Sequence, residues 1–396
     1  MNEKQQGMGL DLFYNATVLP ALTTVPPQIP DERVLGPLAH HLWGNGRISE
    51  ALTCLRLLEM RAPLDVPCVM MRGYWQLYEG QSALARDSFT AALQHEAANP
   101  GARLGYGFAL FYLNEFETAA RVFQELSNEE VPFQSAPVMA KTSKAMAEGR
   151  KPDRINIAPV PGLPPGMSEA MQIRIINGAA AAITHALAWV KTHPNNSLPL
   201  QRFILERHLE LGRDQAAAEL SDQLVITYPD DGALFYLRGI ALRRVGRKDE
   251  SHDAFFTAAC RLAPLEAGAW GGLAAGQVER NELDHAVSNY RVAIFLDNSN
   301  QNYWGDLGQI ELVQGRNQSA HDAFSKAIEA GARTFMNFFH RGLCSLTLGR
   351  DLESVKDWAR AIRAEPQHPK MTEILYMVAH RAAPDSDLRF CFGDIP

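Results

Sequence analysis

Two copies of a histidine and aspartate pair are the residues whose types could do chemistry in this sequence. The tetrapeptide HDAF begins at His252 and again at His321, and a histidine beside a carboxylate is a pairing that general acid–base catalysis uses. Adjacent residues of a helix, however, point about 100° apart and rarely share a useful hydrogen bond. The spacing of the two copies therefore has to decide between a catalytic and a structural interpretation.

The two copies follow a period that recurs along the chain. Turn residues, most of them glycine, are spaced by 34 or 35 residues within each of two runs: Gly46, Gly80, Asn114 and Gly149, then Gly212, Gly246, Asn281, Gly315 and Gly349. The HDAF copies lie 69 residues apart, which is one step of 35 and one of 34. We therefore predict one structural position repeated, with the Phe buried and the His and Asp on a solvated helix face. A role of the histidines in binding a partner is the alternative.

Each repeat carries the marks of two helices. A small residue follows most turns by five places, and a larger one usually comes four places later, which is the spacing of one helical face. The small residues are Ala51, Ala85, Ala119, Ala217, Ser251, Ala286, Ala320 and Ser354, and the second set is Leu55, Phe89, Phe123, Ser221, Phe255, Tyr290, Phe324 and Trp358. The segments WGGLAAG from Trp270 and WGDLGQIEL from Trp304 mark first helices, and several repeats end near a proline such as Pro229.

This pattern resembles the tetratricopeptide repeat family, whose helix–turn–helix unit of about 34 residues has the pattern W-x2-L-G-x2-Y, then A-x3-F, then P. The resemblance implies an all-α fold, a right-handed α–α superhelix of antiparallel helix pairs in two blocks. It also implies that the first helices of successive repeats line a concave groove, which holds a peptide of a partner protein.

The phase of the repeats divides the chain into segments. They are an N-terminal arm (1–31), block 1 with three and a half repeats (32–149), a linker (150–166), block 2 with one degenerate helical pair and five repeats (167–366), a capping helix (367–383) and a tail (384–396). The linker RKPDRINIAPVPGLPPG holds five prolines and is predicted to be extended, because proline cannot continue a helix. A terminal helix is expected because a repeat array must cover its last apolar face.

The composition and net charge of the chain indicate which partners and which cellular location to expect. The 396-residue chain has a net charge of −7, which gives no global attraction to nucleic acid or to an anionic membrane. Its five cysteines form no CxxC pair, as expected for reduced, cytoplasmic thiols. The N-terminal sequence makes a poor signal peptide, and no run approaches the roughly 18 apolar residues that span a bilayer. We therefore expect a cytoplasmic protein with no nucleic-acid partner and no membrane insertion.

No motif of a catalytic, cofactor or metal site accompanies the repeats. The sequence lacks GxSxG, HExxH, GxxxxGK and paired CxxC motifs. The glycines of GYGFAL from Gly105 and of GGLAAG from Gly271 fall inside first helices, where they are expected to let helices approach closely. The basic segment LRRVGRK, which includes Arg244 and Arg247, is predicted to be a solvated helix end, with an anion contact as the alternative. We predict a protein that is not an enzyme and that binds no cofactor or metal.

The groove positions that the resemblance implies are mostly aromatic or methionine in block 1. The predicted peptide-binding residues are His40, Trp43, Met70, Tyr74, Tyr78, Leu104, Phe108, Phe111 and Tyr112. Such side chains are enriched at binding surfaces, so we expect them to hold an apolar anchor; packing between repeats is the alternative for each. The arm supplies Leu10, Phe13, Tyr14 and Leu19 as covers of this groove. The block 2 groove is more charged.

Three functions remain open at this point. The first is a non-enzymatic scaffold for protein–protein interaction that binds partner peptides in the concave grooves. Block 1 also resembles the small chaperones of bacterial type III secretion, so a cytoplasmic secretion-type chaperone for a hydrophobic client is the second. The third is a regulatory subunit of an enzyme on a separate chain. Self-association as a homo-oligomer is left open.

Overall fold

The fold consists of helices joined by short turns throughout the part of the chain that the structure describes. The structure is a computed structural model, and it describes residues 18–24, 27–30, 32–44, 47–78, 80–129, 135–150, 166–194 and 197–369. These residues contain no β-strand. The predicted all-α repeat fold is confirmed.

The helices are numbered here in chain order. The first ten are α1 (Leu19–Leu22), α2 (Glu32–Gly44), α3 (Ile48–Glu59), α4 (Val66–Tyr78), α5 (Ser82–His95), α6 (Pro100–Tyr112), α7 (Phe116–Ser127), α8 (Ser135–Ala147), α9 (Met167–Asn177) and α10 (Ala179–Thr192). The others are α11 (Leu198–Glu210), α12 (Asp214–Thr227), α13 (Gly232–Arg244), α14 (Lys248–Thr257), α15 (Ala267–Glu279), α16 (Leu283–Leu296), α17 (Gln301–Val313), α18 (Asn317–Glu329), α19 (Phe335–Thr347) and α20 (Asp351–Ala364). A π-helical segment, Ala258–Leu262, extends α14.

The chain divides into two compact units. The first contains Ile29–Leu265, and the second contains Glu266–Pro396 together with the short segment Val18–Gln28. Within each unit, successive helices pack against each other as antiparallel neighbours of a repeat array. The predicted linker residues 151–165 and the predicted capping helix from residue 370 onward lie outside the described residues, so those segment boundaries stay predictions.

In these repeats, a large ring of the second helix packs directly against a glycine of the first helix. A Cβ built at Gly239 would lie 2.6 Å from the ring of Phe255, and one built at Gly342 would lie 2.5 Å from the ring of Trp358. Real Cβ atoms essentially never come this close to a neighbour. The ring therefore occupies the space of a missing side chain, which explains why the glycine and the aromatic residue recur in phase.

The turns between the two helices of a repeat need a left-handed residue. Gly212, Gly246 and Gly315 have φ values of 65°, 84° and 73°, a region that glycine adopts without steric cost. Asn114 and Asn281 replace glycine at two turns and have φ values of 63° and 61°; asparagine is among the residues that tolerate this region. The described residues spaced by 34 or 35 positions are therefore those at which the backbone adopts the left-handed conformation.

The two HDAF copies hold the same structural position. Phe255 and Phe324 are buried, and the aspartates Asp253 and Asp322 are exposed. The side chain of His321 is only 17% exposed, and its Nδ1 atom lies 3.5 Å from a carboxylate oxygen of Asp322. The buried ring agrees with the structural prediction, whereas the His321 side chain is less solvated than expected.

Candidate protein-binding site

Three of the predicted groove residues are part of the core. Leu104 is 1% exposed, and Phe108 and Phe111 are fully buried. The Phe108 ring packs edge-on against Phe123 at 5.4 Å between centroids, and Phe111 packs against Phe116 at 5.3 Å. For these residues the alternative interpretation, packing between repeats, describes the structure. They are not surfaces on which a peptide could rest.

Tyr74 lies at the edge of this core and is already engaged by the fold. Its hydroxyl donates a hydrogen bond to the carbonyl oxygen of Gly101 at 2.7 Å, and its ring packs edge-on against Phe89 at 4.9 Å. Burial raises the pKa of the Tyr74 hydroxyl well above its usual range. The residue therefore ties α4 to α6, and only part of its ring is accessible.

The remaining predicted groove residues differ in exposure. His40 is exposed, with its Nδ1 atom 3.1 Å from the carbonyl oxygen of Gly36. Met70 and Tyr112 are half-buried. The side chains of Trp43 and Tyr78 lie outside the described part of the structure, and their place in a groove stays a prediction.

Tyr112 lines a cleft that lies inside the first unit. The cleft has a volume of about 310 Å³, and its lining comes from Leu77, Gly80, Ser82, Tyr112, Met171, Arg174, Gly178, Ala179 and Glu210. These residues belong to the ends of α4, α6 and α11, to the starts of α5 and α10, to α9 and to the turns beside them. The fold thus brings first helices of block 1 together with the start of block 2. The volume is at the lower end of the range for ligand sites.

An ion-pair network forms the polar wall of this cleft. Arg174 lies 3.1 Å from the Glu210 carboxylate, and Arg207 approaches the same carboxylate to 2.9 Å. Loss of water around Glu206 raises its pKa, and the neighbouring arginines reduce this effect without cancelling it. Leu77 and Met171 also line the cleft but are only 1% and 5% exposed, so its accessible apolar surface is the half-buried ring of Tyr112. Such a site can hold an apolar side chain and pair with the polar groups next to it.

A second cavity lies in the second unit. It has a volume of about 320 Å³ and is lined by His321, Arg341, Glu353, Lys356, Asp357 and Arg360. Arg341 donates from Nε and Nη2 to the two carboxylate oxygens of Asp357 at 2.7 and 2.6 Å. Arg360 donates to the same carboxylate at 2.8 Å. The buried charges of this cavity are therefore compensated within the fold.

Arg341 is one of three arginines that tie consecutive second helices together, a role not foreseen from the sequence. Each is the seventh residue of a first helix and reaches both the preceding and the following second helix. The contacts are Arg72 with Glu59 and Ser88, Arg238 with Asp222 and Glu250, and Arg341 with Ser325 and Asp357. Arg238 and Arg341 are 103 residues apart, which is three steps of the repeat. This recurrence is the signal that could have revealed them.

The basic segment LRRVGRK is also used by the fold. Arg244 donates to the carbonyl oxygen of Leu209, at the end of α11, at 2.7 Å and lies 3.3 Å from Asp214. Arg247 donates to Asp222 at 2.8 Å. The first contact satisfies a carbonyl that a helix end leaves without an intrahelical partner. The predicted helix-end role therefore describes these two side chains.

The described residues contain neither a metal-binding cluster nor a membrane-spanning helix. No group of three or more His, Cys, Asp or Glu side chains there could hold a metal ion, and no described helix is long and apolar enough to cross a membrane. Burial raises the pKa of the thiols of Cys260 and Cys344 to about 11. Such thiols are protonated near neutral pH and react slowly.

The repeat geometry has a counterpart among known families. A family model described as tetratricopeptide repeat matches residues 206–267 and 306–369. These ranges contain the turns at Gly212, Gly246 and Gly315, the glycine–ring pairs of Phe255 and Trp358, and the arginine ties of Arg238 and Arg341. These two ranges, 126 of the 396 residues, are tetratricopeptide repeats. Repeats of this family bind protein partners, which supports an interaction scaffold.

Solved structures of MamA are similar to part of this chain. A crystal structure of MamA has a TM-score of 0.38 and 18% identity, with 41% of this chain and 95% of that chain covered. MamA from Desulfovibrio magneticus RS-1, from residue 41 to its end, has a TM-score of 0.38, 16% identity and coverage of 43% and 96%. MamA AMB-1 has a TM-score of 0.38, 21% identity and coverage of 42% and 96%. No curated protein matches. Likeness at this level carries no argument about function.

Proposed function

We propose that this protein is a non-enzymatic scaffold that binds a peptide of a partner protein in the cleft beside Tyr112. The observation that carries the proposal is the composition of the cleft, which is lined by the half-buried ring of Tyr112 and by the Arg174–Glu210 ion pair. A partner side chain would lie against the Tyr112 ring, and the backbone or a charged group beside it would pair with the ion-pair network. The proposed site is smaller than the aromatic groove expected from the sequence and shares Tyr112 with it.

The smaller site changes which variants can test binding. Truncating Phe108 would leave a cavity in the core and cost about 3 to 5 kcal/mol of stability, so loss of binding could not be separated from loss of structure. Tyr112 and Arg174 are accessible at the cleft. Replacing both with alanine removes the contact area and one partner of the ion pair while leaving the buried rings in place.

Quantitative affinity capture tests the proposal. The Tyr112→Ala, Arg174→Ala double variant is expected to bind the principal partner of the wild type at least about tenfold more weakly, in line with the energy of a binding hot spot. Arg121→Ala, on the exposed surface of α7, is the matched control and should bind like the wild type. Circular dichroism and melting check that all three proteins are folded. Equal capture by the double variant and the control would remove this cleft as the binding site.

The same experiment separates the other functions. A secretion-type chaperone would retain one small apolar client, and a regulatory subunit would co-purify with catalytic turnover. The burial of Leu104, Phe108 and Phe111 removes much of the apolar groove on which the chaperone alternative rested. A cytoplasmic location, the lack of a nucleic-acid partner and the lack of enzymatic activity are proposed from the sequence alone.

A further inference from the structure

A short segment near the N-terminus belongs to the second unit although the chain after it belongs to the first. Val18–Gln28 is grouped with Glu266–Pro396, whereas Ile29 begins the long segment of the first unit. The side chain of Arg61 donates to the carbonyl oxygen of Ile29 at 3.2 Å, which holds the chain directly after the segment. The segment is therefore an element of one unit that is tethered to the other through the covalent chain.

The segment is folded as a docked element. Its helix α1 has only four residues, and a helix of this length does not form by itself in water. The backbone N–H of Gln28 donates to the carbonyl oxygen of Ala21 at 2.9 Å, which turns the chain back over the helix. The hydroxyls of Thr23 and Thr24 donate to carbonyl oxygens of Leu19 and Ala21 at 2.9 and 2.8 Å. Tertiary packing must supply the rest of its stability.

That packing involves one face of the segment. Val18 and Leu22 are both fully buried, whereas Pro20 and Thr23 are exposed. Residues four apart lie on the same face of a helix, and paired apolar anchors at this spacing are how an amphipathic helix docks on a protein surface. The prediction that the arm covers the groove of block 1 stays a prediction; Leu19, one of its proposed covers, is half-buried. Leu10, Phe13 and Tyr14 lie outside the described residues.

We propose that Val18–Gln28 is a built-in ligand of the second unit, which closes a docking surface for short helices that carry apolar anchors at positions i and i+4. A tethered ligand acts at an effective concentration on the order of millimolar, so the intramolecular contact can be weak and still be nearly saturated. A partner helix of the same pattern has to displace it. This inference does not depend on the cleft beside Tyr112, because self-docking requires no partner.

The test uses the full chain and a labelled synthetic peptide spanning residues 16–30. Leu22→Glu places a charge on the buried face and should release the segment, so this variant should bind the peptide at least tenfold more tightly than the wild type does. Thr23→Glu adds the same charge to the exposed face and should bind the peptide as weakly as the wild type. A peptide that itself carries Leu22→Glu should not bind. Equal peptide binding by the wild type and the Leu22→Glu variant would overturn the proposal.

A second measurement needs no substitution in the protein. Excess unlabelled peptide added to the wild type should compete with the tethered segment and raise the hydrogen-exchange rate of residues 18–24, with no increase in α16 to α19. The Leu22→Glu peptide is the control and should leave that rate unchanged. Unchanged exchange in 18–24 at a saturating peptide concentration would also overturn the proposal. Neither readout involves the first-unit cleft, so its outcome is separate from that of the proposed function.

Discussion

Replacing Gly105 with alanine is expected to destabilise the protein, although alanine is the better helix former. A Cβ at this position would lie 2.2 Å from Cζ and 2.3 Å from Cε1 of Phe89. Ordinary van der Waals contact begins at about 3.4 Å, so the methyl group would intrude by more than about 1 Å. The Phe89 ring is fully buried, and a Cβ at Gly73, on another helix, would meet it at 2.8 Å. The ring is held from both sides and cannot retreat.

The magnitude follows from two opposing contributions. Alanine in place of glycine inside a helix stabilises by about 0.8 to 1 kcal/mol, and overpacking a core costs about 1 to 3 kcal/mol or more. Because the ring is confined by both glycines, the upper part of that range applies, and the net loss is about 2 kcal/mol. Gly305, in the interior of α17, is the matched control, since the nearest atom to a Cβ there would be Oδ1 of the Asn337 side chain at 3.3 Å. Gly305→Ala should therefore be much less destabilising than Gly105→Ala.

Denaturant unfolding of the two variants measures both effects. A Gly105→Ala, Phe89→Leu double variant should recover part of the loss, because removing the ring removes the collision, and the resulting coupling energy isolates this contact. The reasoning would be refuted by a Gly105→Ala protein that is as stable as Gly305→Ala, since that result would mean that the ring has room to move.

Three further predictions test other parts of the fold. Ala286→Leu and Ala320→Leu should each cost about 1 to 3 kcal/mol, because both alanines are fully buried at a helix contact; unchanged melting of both would place the repeat register elsewhere. Arg47→Met should cost about 3 kcal/mol or more in denaturant unfolding, because it leaves the carboxylate of Glu50, only 2% exposed, buried without its 2.6 Å ion pair; a Glu50→Leu change in the same chain should recover much of that loss, and no recovery would contradict the cause. Burial raises the pKa of Asp222, but hydrogen bonds from two arginines outweigh this and lower it. Its contribution to stability is therefore present above the unfolded pKa of about 3.9 and is lost as the pH falls through the lower folded pKa. Melting temperatures followed to acid pH should fall less steeply for Asp222→Asn than for the wild type, and identical acid slopes would count against this.

Much of the fold could be predicted from the sequence because the turns and the helix contacts within a repeat each require particular residue types. A left-handed turn residue has to be glycine or asparagine, and a ring packed on a first helix needs a small residue beneath it; both are visible without the structure. Turns such as Gly212 and Asn281, and rings such as Phe255, were therefore placed correctly by their spacing. Because each repeat packs mainly against its neighbours, period and phase were enough to define the architecture.

What the sequence could not determine was which apolar side chains face a partner. Phe108 and Tyr112 are both large and aromatic and lie four residues apart in α6, yet one is core and the other lines a cleft. The cleft also needs Arg174, from a helix beyond the linker, and contacts between residues distant in sequence leave no periodic trace. The same reason applies to Val18–Gln28, whose apolar spacing predicts a buried face but not which unit buries it. Sequence periodicity determined how each repeat folds, and only the tertiary packing of distant segments decided which surfaces remain available for binding.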